Sequence, residues 1–376
     1  MVNRLGYLQA SFLTLYLVHS HLTTPAQAGT VIAAQGGGSV VGALIGGAVS
    51  DRVGSRRTIL GSQLAACLAA LALLLFDSLA LLVPLVVVLG ALSTIHRPAG
   101  AALIARNVDG ERLPRAYGLL YWATNIGSSF APVISGWTTS IDPQSIFALS
   151  AAGSAGYLLI AWRLPDDPPP AADGSQGRVD VPGLVRTVFA PFSTVLIGPF
   201  LGLAFILALV YYQWQSALPM DMSLHDVDGR TIGLILGLNG LLVVALQPLV
   251  SVFAARLRMR TAFLLAAVLL GTGFGLHGVF HQVPGYLVAV AIWTCGEVVL
   301  APMSAAFIAS HSDTERQGTY QGSYYFVWNL GLAVGAPLGG WGLAAFGSTV
   351  LWGTVMALAL LAGLGHLALS RRHSYD

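Results

Sequence analysis

Long apolar runs, separated by short polar clusters, dominate the pattern along the chain. A run of about 20 apolar residues crosses a hydrocarbon core roughly 30 Å thick as a helix, because only a helix satisfies every backbone polar group within one segment. Twelve spans are predicted, at 5–23, 29–50, 57–76, 79–105, 115–138, 144–163, 187–218, 230–253, 261–280, 284–309, 318–344 and 348–370. The stretch 187–218 is too long for one straight span and is expected to contain a turn or break. The first run lacks a small-residue cleavage site and is read as a retained span.

The polar breaks carry the topology. With the N-terminus on the cytoplasmic side, the inside loops hold Arg52, Arg56, Arg57, Arg106, Arg112, Arg115, Arg163, Arg178, Arg186, Arg256, Arg258, Arg260 and Arg316. The termini add Arg4, Arg371 and Arg372, and only Arg230 falls outside. Positive charge collects on the cytoplasmic side of membrane proteins, so both termini are expected there. The one long polar connection, 164–186, runs through Pro165, Asp166, Asp167 and Pro168 to Asp173 and Gly174. Proline and glycine favour an extended linker. The expected organisation is a six-helix bundle over 1–163, a cytoplasmic linker over 164–186 and a second six-helix bundle over 187–376.

An internal repeat supports that division. At a constant offset of 204 residues, Pro98 matches Pro302, Asp109 Asp313, Glu111 Glu315, Arg112 Arg316, Gly118 Gly322, Tyr121 Tyr325, Asn125 Asn329, Gly127 Gly331 and Trp137 Trp341. Ordinary Ala and Gly bias does not align Asn, Trp and an Asp-x-Glu-Arg run in one register. Repeats of this length mark two homologous halves.

Composition narrows the function. Hydrophobic residues are 55% and charged residues 9% of the chain, against about 25% charged in a soluble domain. The chain is therefore expected to be a polytopic protein whose main partner is the lipid bilayer. All 18 basic residues are Arg, but no basic face is interleaved with exposed aromatics, so nucleic acid is not an expected partner. Cys67 and Cys295 lie in apolar runs without metal-ligand spacing, and no metal site is expected. Gly-x-Ser-x-Gly, P-loop, His-Glu-x-x-His and clustered Cys/His patterns are all absent from the sequence, so neither an enzyme nor direct use of ATP is expected.

Five clusters carry candidate chemistry. The first is Gly47-Ala-Val-Ser-Asp51-Arg52-Val53-Gly54-Ser55-Arg56-Arg57, closing the second span. Asp51 near a helix end can pair with an Arg from a neighbouring bundle and latch one conformational state; a charged loop that sets topology is the plainer alternative. The second half keeps Arg256 and Arg260 at the same offset but has Ala255 in place of Asp51, so an acidic latch is one-sided.

On the fifth span, Gly118, Gly127, Ala131-Pro132 and Ser135-Gly136 keep a fixed spacing. The eleventh has Gly331, then Gly335-Ala336-Pro337-Leu338-Gly339-Gly340. Small residues let helices approach and proline opens a backbone bond, which suits a gate or simple packing. The third cluster is Trp293-Thr-Cys-Gly296-Glu297, followed by Pro302. Glu297 is the one acidic residue deep in an apolar run. A carboxyl there is retained when it faces a cavity or a partner, and suits reversible proton binding or a structural hydrogen bond. His96-Arg97-Pro98 lies in the fourth span; Arg97 can compensate Glu297, attract an anionic group or snorkel to the surface. The last cluster is aromatic and amide: Tyr211, Tyr212, Gln213, Trp214 and Gln215 on the seventh span, Asn239 on the eighth, Tyr121, Trp122 and Asn125 on the fifth, and Tyr325, Trp328 and Asn329 on the eleventh. Aromatic walls with a few amides suit an amphipathic ligand, and equally suit interhelical packing.

The Gly47–Arg57 segment resembles the helix 2–3 signature of the major facilitator superfamily, with Ser55 where a basic residue is usual. The fifth-span spacing resembles that family's antiporter motif, with Ala131 and Ser135 replacing glycines. The Gly296-Glu297 pair before a proline is similar to bacterial multidrug-like members. The resemblance implies an all-α integral membrane fold of twelve helices in two pseudo-symmetric bundles, working by alternating access. It implies a monomer in a bacterial cytoplasmic membrane that uses protons and no other cofactor. The implied function is a proton-coupled exporter of small amphipathic organic compounds. Glu297 and Arg97 would serve proton coupling, Gly47, Asp51, Arg52, Gly54 and Arg56 the latch, and Gly118, Gly127, Pro132, Gly136 and Pro337 the gate. Tyr121, Asn125, Tyr211, Gln213, Trp214, Asn239, Tyr325 and Asn329 would contact substrate. A proton-linked importer of a sugar, organic acid or peptide is the alternative, weakened by the lack of a carboxylate in the middle of the first span. A receptor that binds without transport is the remote one.

Overall fold

Apolar runs free of long polar interruptions fold here into helices, and the interruptions into turns. The computed structural model describes Leu13, Tyr16, Leu17 and residues 25–76, 78–142, 144–164, 186–254 and 257–372. Its helices are α1 (Pro25–Val53), α2 (Ser55–Leu73), α3 (Leu79–Asn107), α4 (Leu113–Ile141), α5 (Ser145–Ala161), α6 (Ile197–Tyr211), α7 (Ala217–Leu224), α8 (Gly229–Ala254), α9 (Met259–Leu276), α10 (Val283–Ser310) and α11 (Gln317–Arg372). No strand occurs among the described residues. Most of the first predicted span, linker residues 165–185, Ala255 and Arg256 lie outside them. Pro132 and Gly136 are described only as backbone within α4.

Among the described residues, seven segments are long and apolar enough to cross a membrane. One of these, Thr314–Arg371, has 58 residues, enough for two crossings at about 1.5 Å per residue. It covers the two last predicted spans, joined at Gly347, whose φ of 77° breaks the helical path of α11. The expected break in 187–218 is also present. A 3-10 turn at Ala190–Ser193 precedes α6, and another at Tyr212–Gln215 separates α6 from α7.

The sequence repeat is visible as geometry. Asp109 (φ −57°, ψ 142°) leads into a 3-10 turn at Gly110–Arg112, and Asp313 (φ −58°, ψ 135°) into one at Thr314–Arg316. In each turn the Arg N–H donates to the Asp carbonyl, at 2.8 and 2.9 Å. Each turn then runs straight into the helix bearing the matched Tyr, Asn and Gly positions.

Packing divides the chain into two units. The first comprises Met1–Asn107, Ala123–Ala190 and Ser312–Phe326; the second comprises Val108–Trp122, Pro191–His311 and Val327–Asp376. In the first unit α1 lies along α3. Added Cβ atoms at Gly38, Gly42 and Gly46 would strike the backbone of Val87, Ala91 and Ile95, so bare glycines set the approach. Two hydrogen bonds cross the same seam, Ser39 Oγ to Gly90 O (3.1 Å) and Thr94 Oγ1 to Ser39 O (2.9 Å). Tyr16 packs edge-on to Phe147 at 4.9 Å within an apolar core from α2, α3 and α5.

In the second unit Phe200 stacks on Phe307 at 4.3 Å, and Phe274 on Trp293 at 5.2 Å. The glycine ridge of α11 meets α6 here. Gly331 faces Ala208, Gly335 faces Leu209 and Gly339 faces the amide of Gln213. Large apolar side chains such as Leu68, Leu159, Leu241 and Leu361 remain exposed, as lipid-facing residues do.

Candidate functional site

Two polar constellations stand out. The first is built on Glu297 in the second unit. The residue sits mid-way along α10 and is 4% exposed. Its Oε1 accepts hydrogen bonds from the hydroxyls of Tyr121 and Tyr211, the latter at 2.7 Å. Its Oε2 accepts one from Asn239 Nδ2 at 2.6 Å. Asn239 also reaches Thr294 Oγ1 at 3.1 Å, and Thr294 Oγ1 donates to Val290 O one turn below. Thr294 and Glu297 are i, i+3 neighbours on one face of α10, so one amide from α8 serves both.

A buried carboxylate needs this many donors to offset lost hydration. The donors differ in kind. An amide N–H cannot accept, whereas a tyrosine hydroxyl can donate or accept. Oε1, which faces two tyrosines, can therefore take up a proton by turning a hydroxyl around, while Oε2 stays bonded to Asn239. The surroundings are aromatic: Tyr211 lies edge-on to Trp293, Trp214 and Trp328 at 6.2, 6.4 and 5.5 Å between ring centres. On α4, next to Tyr121, Trp122 Nε1 donates to Val244 O on α8 at 2.8 Å.

Three residues expected to touch substrate, Tyr121, Tyr211 and Asn239, are thus the partners of the residue expected to handle protons. Trp214 and Asn329 are half-buried in the same unit. Gln213 Nε2 donates to Leu209 O and Gly335 O at 2.8 and 2.9 Å, tying the turn after α6 to α11. Asn125, Tyr325 and Arg97 are half-buried in the first unit. His96, beside Arg97, packs edge-on to Tyr157 at 5.3 Å. Gly118 and Gly127 are buried on α4, while Pro337 is exposed on α11.

The second constellation is built on Asp51, in the first unit. Its Oδ1 accepts from Gly318 N at 2.7 Å and pairs with Arg106 Nη2 at 2.8 Å, and Oδ2 accepts from Thr319 N at 2.6 Å. Gly318 and Thr319 open α11, where unpaired N–H groups and the helix dipole favour an anion. Gly47 makes the approach possible. It lies one turn before Asp51 and against Gly318, where a Cβ on either residue would strike the other's backbone. The Gly-x-x-x-Asp spacing thus puts a gap and an anion on one face. Gly54 has φ 98° and turns the chain from α1 into α2. Ser55, in the position where a basic residue is usual, is fully buried; it bonds Ser50 Oγ at 3.0 Å and accepts from Arg106 Nη1 at 3.0 Å.

The expected partner of Asp51 was an Arg from the other bundle. The structure places Arg106 there, from the end of α3 in the same sequence half, and the other half contributes backbone N–H groups. Arg52 is exposed, and Arg56 Nη2 donates to Trp162 O at 2.6 Å. Arg106 had counted only toward the charge bias; its place just ahead of the repeated Asp-x-Glu-Arg turn was the available signal.

Comparison with known proteins places this geometry in a family. The sequence model described as Major Facilitator Superfamily matches residues 5–336 and 203–374. An uncharacterized MFS-type transporter of Bacillus subtilis, YqjV, is 26% identical over 369 residues, covering 96% of this chain and 88% of the relative. Multidrug resistance protein MdtH of Cronobacter sakazakii is 22% identical over 307 residues, covering 79% and 73%. Among solved structures, the human organic anion transporter MFSD10 (TETRAN) superposes with a TM-score of 0.76 at 17% identity, covering 97% of each chain. The proton:xylose symporter XylE superposes with a TM-score of 0.75 at 12% identity, covering 96% and 92%. The all-helical fold expected from the sequence is therefore the major facilitator fold, and this multi-pass membrane protein belongs to the major facilitator superfamily of transporters.

Proposed function

We propose that the protein is a proton-coupled exporter of small amphipathic organic compounds, acting as a monomer in a bacterial cytoplasmic membrane with both termini inside. The observation that carries this reading is the carboxylate of Glu297 shared by Tyr121, Tyr211 and Asn239 within an aromatic wall. A proton on Oε1 turns one tyrosine hydroxyl from donor to acceptor. Tyr121 comes from the first half of the sequence and Glu297 from the second, so this exchange alters a bond joining the two. An amphipathic substrate that engages the same tyrosines competes with the proton, and competition for one site is what antiport requires.

The Asp51 constellation supplies the other part of an alternating-access cycle. With both termini cytoplasmic, it holds the inner end of α1 to the start of α11, and inward opening requires that it break. Rocking would take place between the halves 1–163 and 187–376, with Gly118, Gly127, Pro132 and Gly136 on α4 and Pro337 on α11 shaping the gate. Arg97 is assigned to charge compensation in the transport path. The multidrug-resistance relatives support a drug-like substrate class.

Liposomes containing the purified protein test this. Under an imposed pH gradient, a panel of lipophilic cations and neutral drugs is expected to move opposite to protons with wild type and not with Glu297→Gln. Movement together with protons would make the protein an importer and overturn the export reading. Full antiport by Glu297→Gln would remove this carboxylate from the coupling.

A further inference from the structure

A second set of titratable side chains, unused by the transport reading, gathers in the second unit beyond the ends of its apolar spanning segments. Asp221 lies on α7 and His225 just beyond it. His281 lies in the connection between α9 and α10, far away in sequence, which is why no spacing motif announced the group. One ligand atom from each of the three lies within 4.8 Å of the others. A tetrahedral site with bonds of about 2.1 Å has ligand edges of roughly 3.4 Å, so the three groups are within reach of one ion once a side chain rotates.

The details suit a metal. Asp221 is fully buried, and its Oδ1 lacks a hydrogen-bond partner among the described residues. His225 Nδ1 lies 3.7 Å from it, beyond hydrogen-bond reach, and a buried carboxylate oxygen without a hydrogen bond is costly. Its other oxygen, Oδ2, accepts from Tyr286 Oη at 3.2 Å, which orients the group. His225 Nδ1 lies 2.8 Å from the Asp221 carbonyl; donation there leaves Nε2 with a free lone pair, as in most metal-ligating histidines. The rings of His225 and His281 stack at 3.8 Å with 3° between their planes, which brings the two imidazoles together, and turning one ring out of the stack points both nitrogens at one ion. His281 Nδ1 is buried and likewise without a hydrogen-bond partner among the described residues.

From this juxtaposition we propose that Asp221, His225 and His281 bind a divalent metal ion of the zinc class. Two imidazoles and one carboxylate match zinc better than the all-oxygen sets of calcium or magnesium. A fourth position would hold water. The ion would fasten the end of α7 to the connection ahead of α10. Because α7 follows the turn after Tyr211, the clamp would restrain the segment that carries one of the Glu297 donors.

The test needs no transport assay and so stands or falls apart from the transport reading. The full chain, without a histidine tag and stripped with chelator, is titrated in detergent with cobalt as the spectroscopic stand-in for zinc. One equivalent is expected to give the visible absorption of a tetrahedral or five-coordinate ion, displaced by zinc. Zinc is expected to raise the thermal midpoint, since it binds the folded state. His281→Gln, at a half-buried position that keeps the fold, is expected to weaken binding at least about tenfold and abolish the thermal shift. Asp221→Asn is expected to do the same, and His311→Gln to do neither. Absence of saturable binding by wild type, or equal binding by wild type and His281→Gln, would overturn the proposal.

Discussion

Tyr211 closes the last turn of α6, and its hydroxyl donates a hydrogen bond to Glu297 Oε1 at 2.7 Å. The chain bends into a 3-10 turn immediately afterwards. The donor to the buried carboxylate is thus also the last residue before the helix gives way to the turn.

Removing that hydroxyl isolates its role. A hydrogen bond to a charged group contributes about 1.5–3 kcal/mol. If the proposed proton coupling holds, Tyr211→Phe is expected to lower flux by roughly tenfold to a hundredfold while leaving the protein folded, because the ring contacts with Trp293 and Trp328 persist. Flux in liposomes alongside a detergent melting curve checks both halves of the statement.

Asn239→Ala is expected to be worse for stability than Tyr211→Phe. It leaves both Glu297 Oε2 and Thr294 without their shared amide. The unmet desolvation of a buried charged group costs about 2–3 kcal/mol, read as a lower thermal midpoint than that of wild type and Tyr211→Phe.

Asp51→Asn removes the charge that Arg106 and the start of α11 share. Breaking a well-buried pair costs about 3 kcal/mol, and the loss is expected in the melting curve. Arg106→Gln should cost a similar amount, and the double substitution clearly less than the sum, because both act on one contact. Additive losses would mean that the two residues act separately.

Gly47→Ala keeps every charge of that constellation and still pushes α1 away from Gly318. Overpacking against backbone costs about 1–3 kcal/mol. The same substitution at Gly61, where an added Cβ meets nothing within 4 Å, is the matched control and is expected to leave the melting curve unchanged or raise it slightly.

Gly347 offers a different test, since open space surrounds it and only its φ of 77° matters. Gly347→Ala is expected to cost about 1–2 kcal/mol from left-handed backbone strain. It should leave Glu297 and Asp51 chemistry intact, so flux per folded molecule stays at the wild-type value.

Much was legible from the chain alone. Run length and hydropathy produced the spans because a lipid environment allows few alternatives to a helix. The break in 187–218 followed from length. The repeat at offset 204 has its counterpart in two matching 3-10 turns. Glu297 stood out because a carboxyl in an apolar run demands a reason, and Asp51 because its spacing from Gly47 resembled a known signature. Those features are local, and one-dimensional pattern suffices for them.

Partners were not legible, because they come from distant positions with no fixed spacing. That Glu297 would be held by Tyr121, Tyr211 and Asn239 depended on how α4, α6, α8 and α10 meet. That Asp51 would take Arg106 and two backbone N–H groups depended on Gly47 meeting Gly318 and on where α11 begins. That Gln213 Nε2 would reach Leu209 O and Gly335 O depended on how the end of α6 meets α11. The sequence determined the spans, the repeat and the two acidic residues around which polar side chains gather, since solvation and periodicity act on each segment by itself. The tertiary structure alone decided which side chains converge, since close packing brings together residues that nothing in their order along the chain links.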